Sequence, residues 1–208
     1  MTVNRLVLFM SLCLFMGAAT RTCAQTANGT KHPVTIPPEK SKPITIPRFD
    51  KPPVIDGKLD DEVWKTAAVF KDFYQINPGD NIAPSKPTEA MIGYDAKTFY
   101  IAFHCYDEID KIRATVAKRD DVFGEDNVQF WLDTYDDRRR AYTFGFNPLG
   151  IQQDGIQTEN QGTDFNVDIL FESKGVIEDW GWSVEVKIPF KSIFCKLNGA
   201  FKASLITS

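Results

Sequence analysis

Between Asn127 and Asp133 the side chains alternate. Val128, Phe130 and Leu132 fall on one side of an extended chain, and Gln129, Trp131 and Asp133 on the other. The second set places a large flat aromatic among polar residues, with an amide two positions before it and a carboxylate two positions after. An indole can lie flat on a patch of C–H groups while the amide and carboxylate take up hydroxyls at its rim, which is the chemistry that holds a saccharide ring. A loop folded over the same face would instead make Trp131 an ordinary packed residue, and the residues alone leave both readings open. If the chain reverses near Asp137, then Ala141, Thr143, Gly145 and Asn147 lie opposite and leave a shallow trough of small groups beside the indole. Phe123, just before the strand, and Trp180, at a tight turn, are candidates for a second aromatic clamp. Arg139, in the run Arg138–Arg140, could reach a sugar hydroxyl. The plainer reading of that run is a solvated turn whose cations balance Asp133, Asp136 and Asp137.

Other chemistries find less support. Glycoside hydrolysis needs two carboxylates about 5–10 Å apart across a cleft, and no pair among the many acids is singled out, so no catalytic residue is expected. Asp120, Asp121, Glu125 and Asp126 could supply oxygens to calcium, but without any fixed ligand spacing. A haem would need axial ligands, and His104, Met91 and His32 are the candidates; no attachment motif accompanies them. Glu185 falls on the polar side of its strand and reads as a surface carboxylate with some prospect of a polar ligand contact. Cys105 and Cys195 could pair, although Cys105 within "FYIAFHCYD" reads more simply as a small buried residue.

The elements that must position these groups are strands. Glu89–Tyr94 and the apolar run Phe99–Tyr106 flank "DAK" as a hairpin. The stretch from Asn127 pairs with Tyr142–Phe146 across an acidic and arginine-rich turn, a further strand is expected over Phe165–Phe171, and a last pair flanks "EDWG". In that pair Trp182, Val184, Val186 and Ile188 form the apolar side. Only Asp60–Ala68 reads as helical. Antiparallel strands with one dry and one wet face predict an all-β fold, a β-sandwich or jelly roll with one short helix, over residues 54–193. Trp64 and Trp182 are expected in the core.

The ends read differently. Residues 1–24 have the form of an export signal, with Arg5, an apolar run from Leu6 to Ala19 and small residues before Gln25. Residues 25–53 form a Pro- and Lys-rich leader, expected to be exposed, and residues 194–208 a divergent tail whose weak alternation leaves the last sheet without an obvious closing strand. The chain carries a formal net charge of −4, which disfavours nucleic acid as a partner.

Five ordered blocks resemble a known family: "VIDGKLDDEVW" from Val54, "YDAKTFYIAFHCYD" from Tyr94, "RDD" from Arg119, "DNVQFWLDTYDDRRRAYTFGFNPLG" from Asp126 and "GWSVEVKIPFKSI" from Gly181. Together they resemble a family 9 carbohydrate-binding module, in the version that opens exported bacterial proteins with a second, barrel-type domain. The resemblance implies a β-sandwich that binds an oligo- or polysaccharide without catalysis, beside domains that hydrolyse O-glycosyl bonds. It also implies a role in polysaccharide breakdown or uptake at the cell envelope and an outer-membrane partner, with calcium in some members. The expected location is the periplasm, the outer-membrane surface or the medium.

Overall fold

In the computed structural model, residues 44–75, 82–116, 118–122 and 124–193 are described, together with the backbone of 202–207. Among the described residues ten strands run in chain order: β1 Ala68–Phe70, β2 Thr88–Tyr94, β3 Thr98–Tyr106, β4 Val128–Asp133, β5 Arg140–Phe146, β6 Gln152–Thr158, β7 Gly162–Asp164, β8 Glu172–Glu178, β9 Gly181–Pro189 and β10 Lys202–Thr207. They form two five-stranded sheets, β1-β2-β3-β9-β8 and β10-β4-β5-β6-β7, with every pairing between strands antiparallel. The β-sandwich is therefore as expected.

Strict alternation decides which residues face inward. Phe99, Ile101 and Phe103 of β3 and Val184, Val186 and Ile188 of β9 meet Phe130 and Leu132 of β4 and Phe144 and Phe146 of β5 in one core. Phe130 is stacked on Phe144 with ring centroids 4.9 Å apart, and each fully buried Phe contributes about 1.5–3 kcal/mol through the water it sheds. Trp182 lies in this core as anticipated.

Four findings depart from the sequence reading. The helix expected over Asp60–Ala68 is one 3-10 turn, Glu62–Thr66. Phe165–Phe171 forms no strand. Its Val167, Ile169 and Phe171 do point inward, but the segment crosses between the sheets, and the amide of Ile169 bonds the Asp154 carboxylate rather than a neighbouring strand. The leader is not wholly exposed, since Phe49 is buried against Trp64 and Tyr100. Finally, the second sheet is closed: β10 pairs with β4 from Lys202 opposite Asp133 to Thr207 opposite Val128, so the backbone of β4 is bonded on both sides.

Trp64 is buried as expected, but in a second small cluster on the outer face of the first sheet, with Phe49, Tyr100 and Ala102. The segment from Ile55 to Ala67 folds over that face. Glu185, on the same face, is thereby fully buried rather than a surface carboxylate. Its Oε2 accepts the amides of Asp56 and Gly57 at 2.9 and 2.8 Å, and its Oε1 accepts the Trp64 indole N–H at 2.7 Å. Gly57 makes the clamp feasible: its φ is +91°, and a Cβ there would stand 2.6 Å from Cγ2 of Val176.

Candidate functional site

The outer face of the second sheet is built from three rows. Gln129 lies opposite Gly145, which lies opposite Gln153; Trp131 opposite Thr143, then Gly155; Ala141 opposite Gln157, then Thr163. The alternation in β4 holds, with Val128, Phe130 and Leu132 buried and Gln129, Trp131 and Asp133 half-buried. Thr143 and Gly155 give Trp131 a floor without bulk. Gly155 is required there, because a Cβ would come within 2.5 Å of the Asp164 carbonyl oxygen. Among the described residues the Trp131 indole N–H has no hydrogen-bond partner and its ring no aromatic neighbour.

Polar groups around this floor are fixed in relay. Gln129 Nε2 donates to Asn127 Oδ1 at 2.8 Å, and Asn127 Nδ2 donates to the Glu125 carbonyl. This fixes the Gln129 side-chain amide, and among the described residues its Oε1 accepts no hydrogen bond. Gln157 Oε1 takes the Thr163 hydroxyl. At one end the loop between β3 and β4 folds down, where the Val122 amide donates to Gln153 Oε1 and Gln153 is buried at 3% exposure. So a loop does cover the Gln153 end of the face, while Trp131, one row along, is half-buried.

That loop is tied by its acids. Thr115 donates through both its amide and its hydroxyl to Glu125, whose pKa is lowered chiefly by the Thr115 hydroxyl. Asp126 accepts the Arg113 amide, and Asp120 accepts the Asp154 amide. Three of the four carboxylates considered above for calcium, Asp120, Glu125 and Asp126, are thus engaged by the chain itself. Among the described residues no group of three or more His, Cys, Asp or Glu comes together. Arg119 bonds Gln152, the buried Asp154 and the Ile169 carbonyl while lying over the Phe171 ring, 5.4 Å from its centroid. Burial pushes the Asp154 carboxyl up, and the Ile169 amide and Arg119 pull it back.

The remaining candidates fall as follows. Asp133 belongs to the face, but its carboxylate organises the β4–β5 turn, accepting the amides of Tyr135, Asp136 and Arg138. Arg139 is exposed beyond the turn and pairs with Glu159 at 3.5 Å, while Arg140 pairs with Asp137 and lies over Tyr135. Neither guanidinium is directed to Trp131. Trp180 lies on the first sheet, edge-on to His104 at 4.0 Å, so the structure does not bring it to Trp131 as a clamp. Phe123, Cys195 and His32 lie outside the described residues. Cys105 is a buried free thiol whose pKa burial raises. His104, raised above as a haem ligand, is wedged between Tyr106 and Trp180, and Met91 packs against the Trp64 cluster. The sequence reading missed β6 and β7, which supply Gln153, Gly155, Gln157 and Thr163. The one available signal was the recurrence of Gln at alternate positions, Gln153 and Gln157 flanking Gly155.

Comparison with known proteins follows from this geometry. The family described as "Carbohydrate family 9 binding domain-like" matches residues 55–204, and the chain belongs to it. No curated protein matches the chain in sequence. In structure it is similar to a family 9 carbohydrate binding module from Caldicellulosiruptor kristjanssonii solved in complex with glucose, at 17% identity and TM-score 0.54, covering 77% of this chain and 75% of that one. The same module in complex with cellotriose matches at 17% identity and TM-score 0.53, over 77% and 74% of the two chains. A protein from Bacteroides uniformis ATCC 8492 matches at 13% identity and TM-score 0.60, over 78% and 81%. At these identities the likeness establishes the fold.

Proposed function

We propose that the protein is a non-catalytic carbohydrate-binding module, and that a sugar ring stacks on Trp131 over the outer face of the second sheet. The observation that carries this reading is the half-buried indole with an uncommitted N–H, standing over Thr143 and Gly155 and beside the oriented Gln129 amide. Membership of the family supports it, as does likeness to a module that takes glucose and cellotriose. The ring supplies apolar contact with the sugar's C–H face, and Gln129 and the indole N–H answer hydroxyls at its edge. Phe123 remains a candidate second clamp. We assign the protein an exported location and a part in holding polysaccharide at the cell envelope for breakdown or uptake, with hydrolysis left to other domains or proteins.

A shallow face buries little area, and each hydroxyl exchanges water for protein at small net gain, so affinity falls at about micromolar to millimolar. Calorimetry with cellotriose on wild type and Trp131→Ala tests the assignment. The variant should lose sugar binding on this face while its circular dichroism and melting stay unchanged. Unaltered binding at this face, or loss of fold together with binding, would refute it.

A further inference from the structure

The outer face of the first sheet is covered only in part. The segment from Ile55 to Ala67 lies over Tyr100, Ala102 and Glu185, with the Ser183 hydroxyl donating to the Gly57 carbonyl at 2.6 Å. Beyond Gly57 the face continues as the row Glu89–His104–Ser183–Val176 and, one step further along, Tyr106 opposite Gly181 and Gly181 opposite Glu178. On a wet sheet face these positions would ordinarily be polar. Here Tyr106 stacks on His104 at 4.3 Å, Trp180 folds back edge-on to His104 at 4.0 Å, and the Tyr106 and Trp180 centroids are 6.1 Å apart. Both larger rings are only half-buried.

We propose that Trp180, Tyr106 and His104, rimmed by Glu89 and Glu178, form a second saccharide-binding shelf, selective for uncharged or amine-bearing sugars and opposite in position to the Trp131 face. It shares with the proposed function the class of ligand and none of the residues. The shelf is held rigidly: the Trp180 carbonyl accepts the Asp107 amide at 3.2 Å, and its indole N–H donates to Glu178 Oε2 at 3.1 Å. Rings fixed in this way give contact area at little cost in conformational entropy.

Its other polar groups, by contrast, are uncommitted. Among the described residues the Tyr106 hydroxyl and the Glu89 carboxylate have no hydrogen-bond partner, and neither does His104 Nε2 beneath the rings. Burial lowers the His104 pKa, with Glu89 and Glu178 drawing it the other way. The two carboxylates would receive hydroxyl or ammonium donors and repel uronate or sulfate groups. With aromatic sites on opposite outer faces, one molecule would bridge two glycan strands and gain avidity on an insoluble polysaccharide.

Calorimetry with cellohexaose on the protein, on Trp131→Ala, on Trp180→Ala and on the double variant tests this, with circular dichroism as the control for fold. Binding that survives in Trp131→Ala and falls about tenfold or more on adding Trp180→Ala supports the shelf. Complete loss in Trp131→Ala alone, or residual binding indifferent to Trp180→Ala, overturns the shelf and leaves the first face standing. Loss of all binding in Trp180→Ala alone would instead sink the first face. Should Trp180→Ala fail to fold, Glu89→Gln in the Trp131→Ala background gives a second readout: it should admit polygalacturonate, which the parent excludes. Equal exclusion by both would count against the shelf.

Discussion

Replacing Glu185 by Gln isolates one buried carboxylate. Its burial raises the pKa to about 7 from an ordinary 4.5, while the N–H donors of Gly57, Trp64 and Asp56 pull it down. A carboxyl raised on folding holds its proton in the native state where the unfolded chain has released it. Its stabilisation is therefore complete at low pH and is lost as pH climbs through about 7. The interval from 4.5 to about 7 corresponds to about 3 kcal/mol at roughly 1.4 kcal/mol per pH unit. Glu185→Gln removes the titration but turns an amide N–H2 toward a donor, which costs about 1–3 kcal/mol at any pH. Urea denaturation of both chains at pH 4 and pH 8 should thus show the wild-type advantage shrinking by about 3 kcal/mol between the two. Every other titrating group cancels in the difference. Parallel profiles would mean that the carboxylate is satisfied equally well folded and unfolded, and the clamp argument would fail.

Deleting Lys202–Thr207 should strip β4 of its partner from Val128 to Asp133 and leave a bare edge, so the shortened chain should self-associate in the ultracentrifuge. A stable monomer would show that β10 is dispensable. Arg139→Ala removes an exposed side chain that pairs with the exposed Glu159, so stability should change by less than about 0.5 kcal/mol and cellotriose affinity not at all. A clear loss of affinity would restore Arg139 to the sugar site.

The wet-face position of Trp131 was legible because β4 alternates without exception and its partner β5 follows after a short turn, so facing and register could both be read. β6 and β7 were illegible for a physical reason. The inward position at Asp154 is satisfied by Arg119 and the Ile169 amide instead of by an apolar side chain, and the outward positions are amides, glycine and Thr163, so no hydrophobic period survives. The run from Phe165 to Phe171 misled in the opposite sense: it has the period of a strand, but periodicity reports facing and not ladder partners. Glu185 was placed correctly on the outer face and wrongly in water. What covers that face, the segment carrying Trp64, lies 121 residues away in the chain, beyond the reach of local pattern. The same distance problem separated Trp180 from Trp131, since which of two sheets a turn belongs to depends on strand order.

The central claim, that a sugar stacks on Trp131, is tested most directly by titrating isotopically labelled protein with glucose and cellotriose and following amide and indole N–H resonances. The account predicts that the Trp131 indole N–H, the Gln129 side-chain amide and the backbone of Thr143 and Gly155 shift together, saturating along one isotherm. Sugar-induced shifts that leave all four unmoved while others saturate would contradict it.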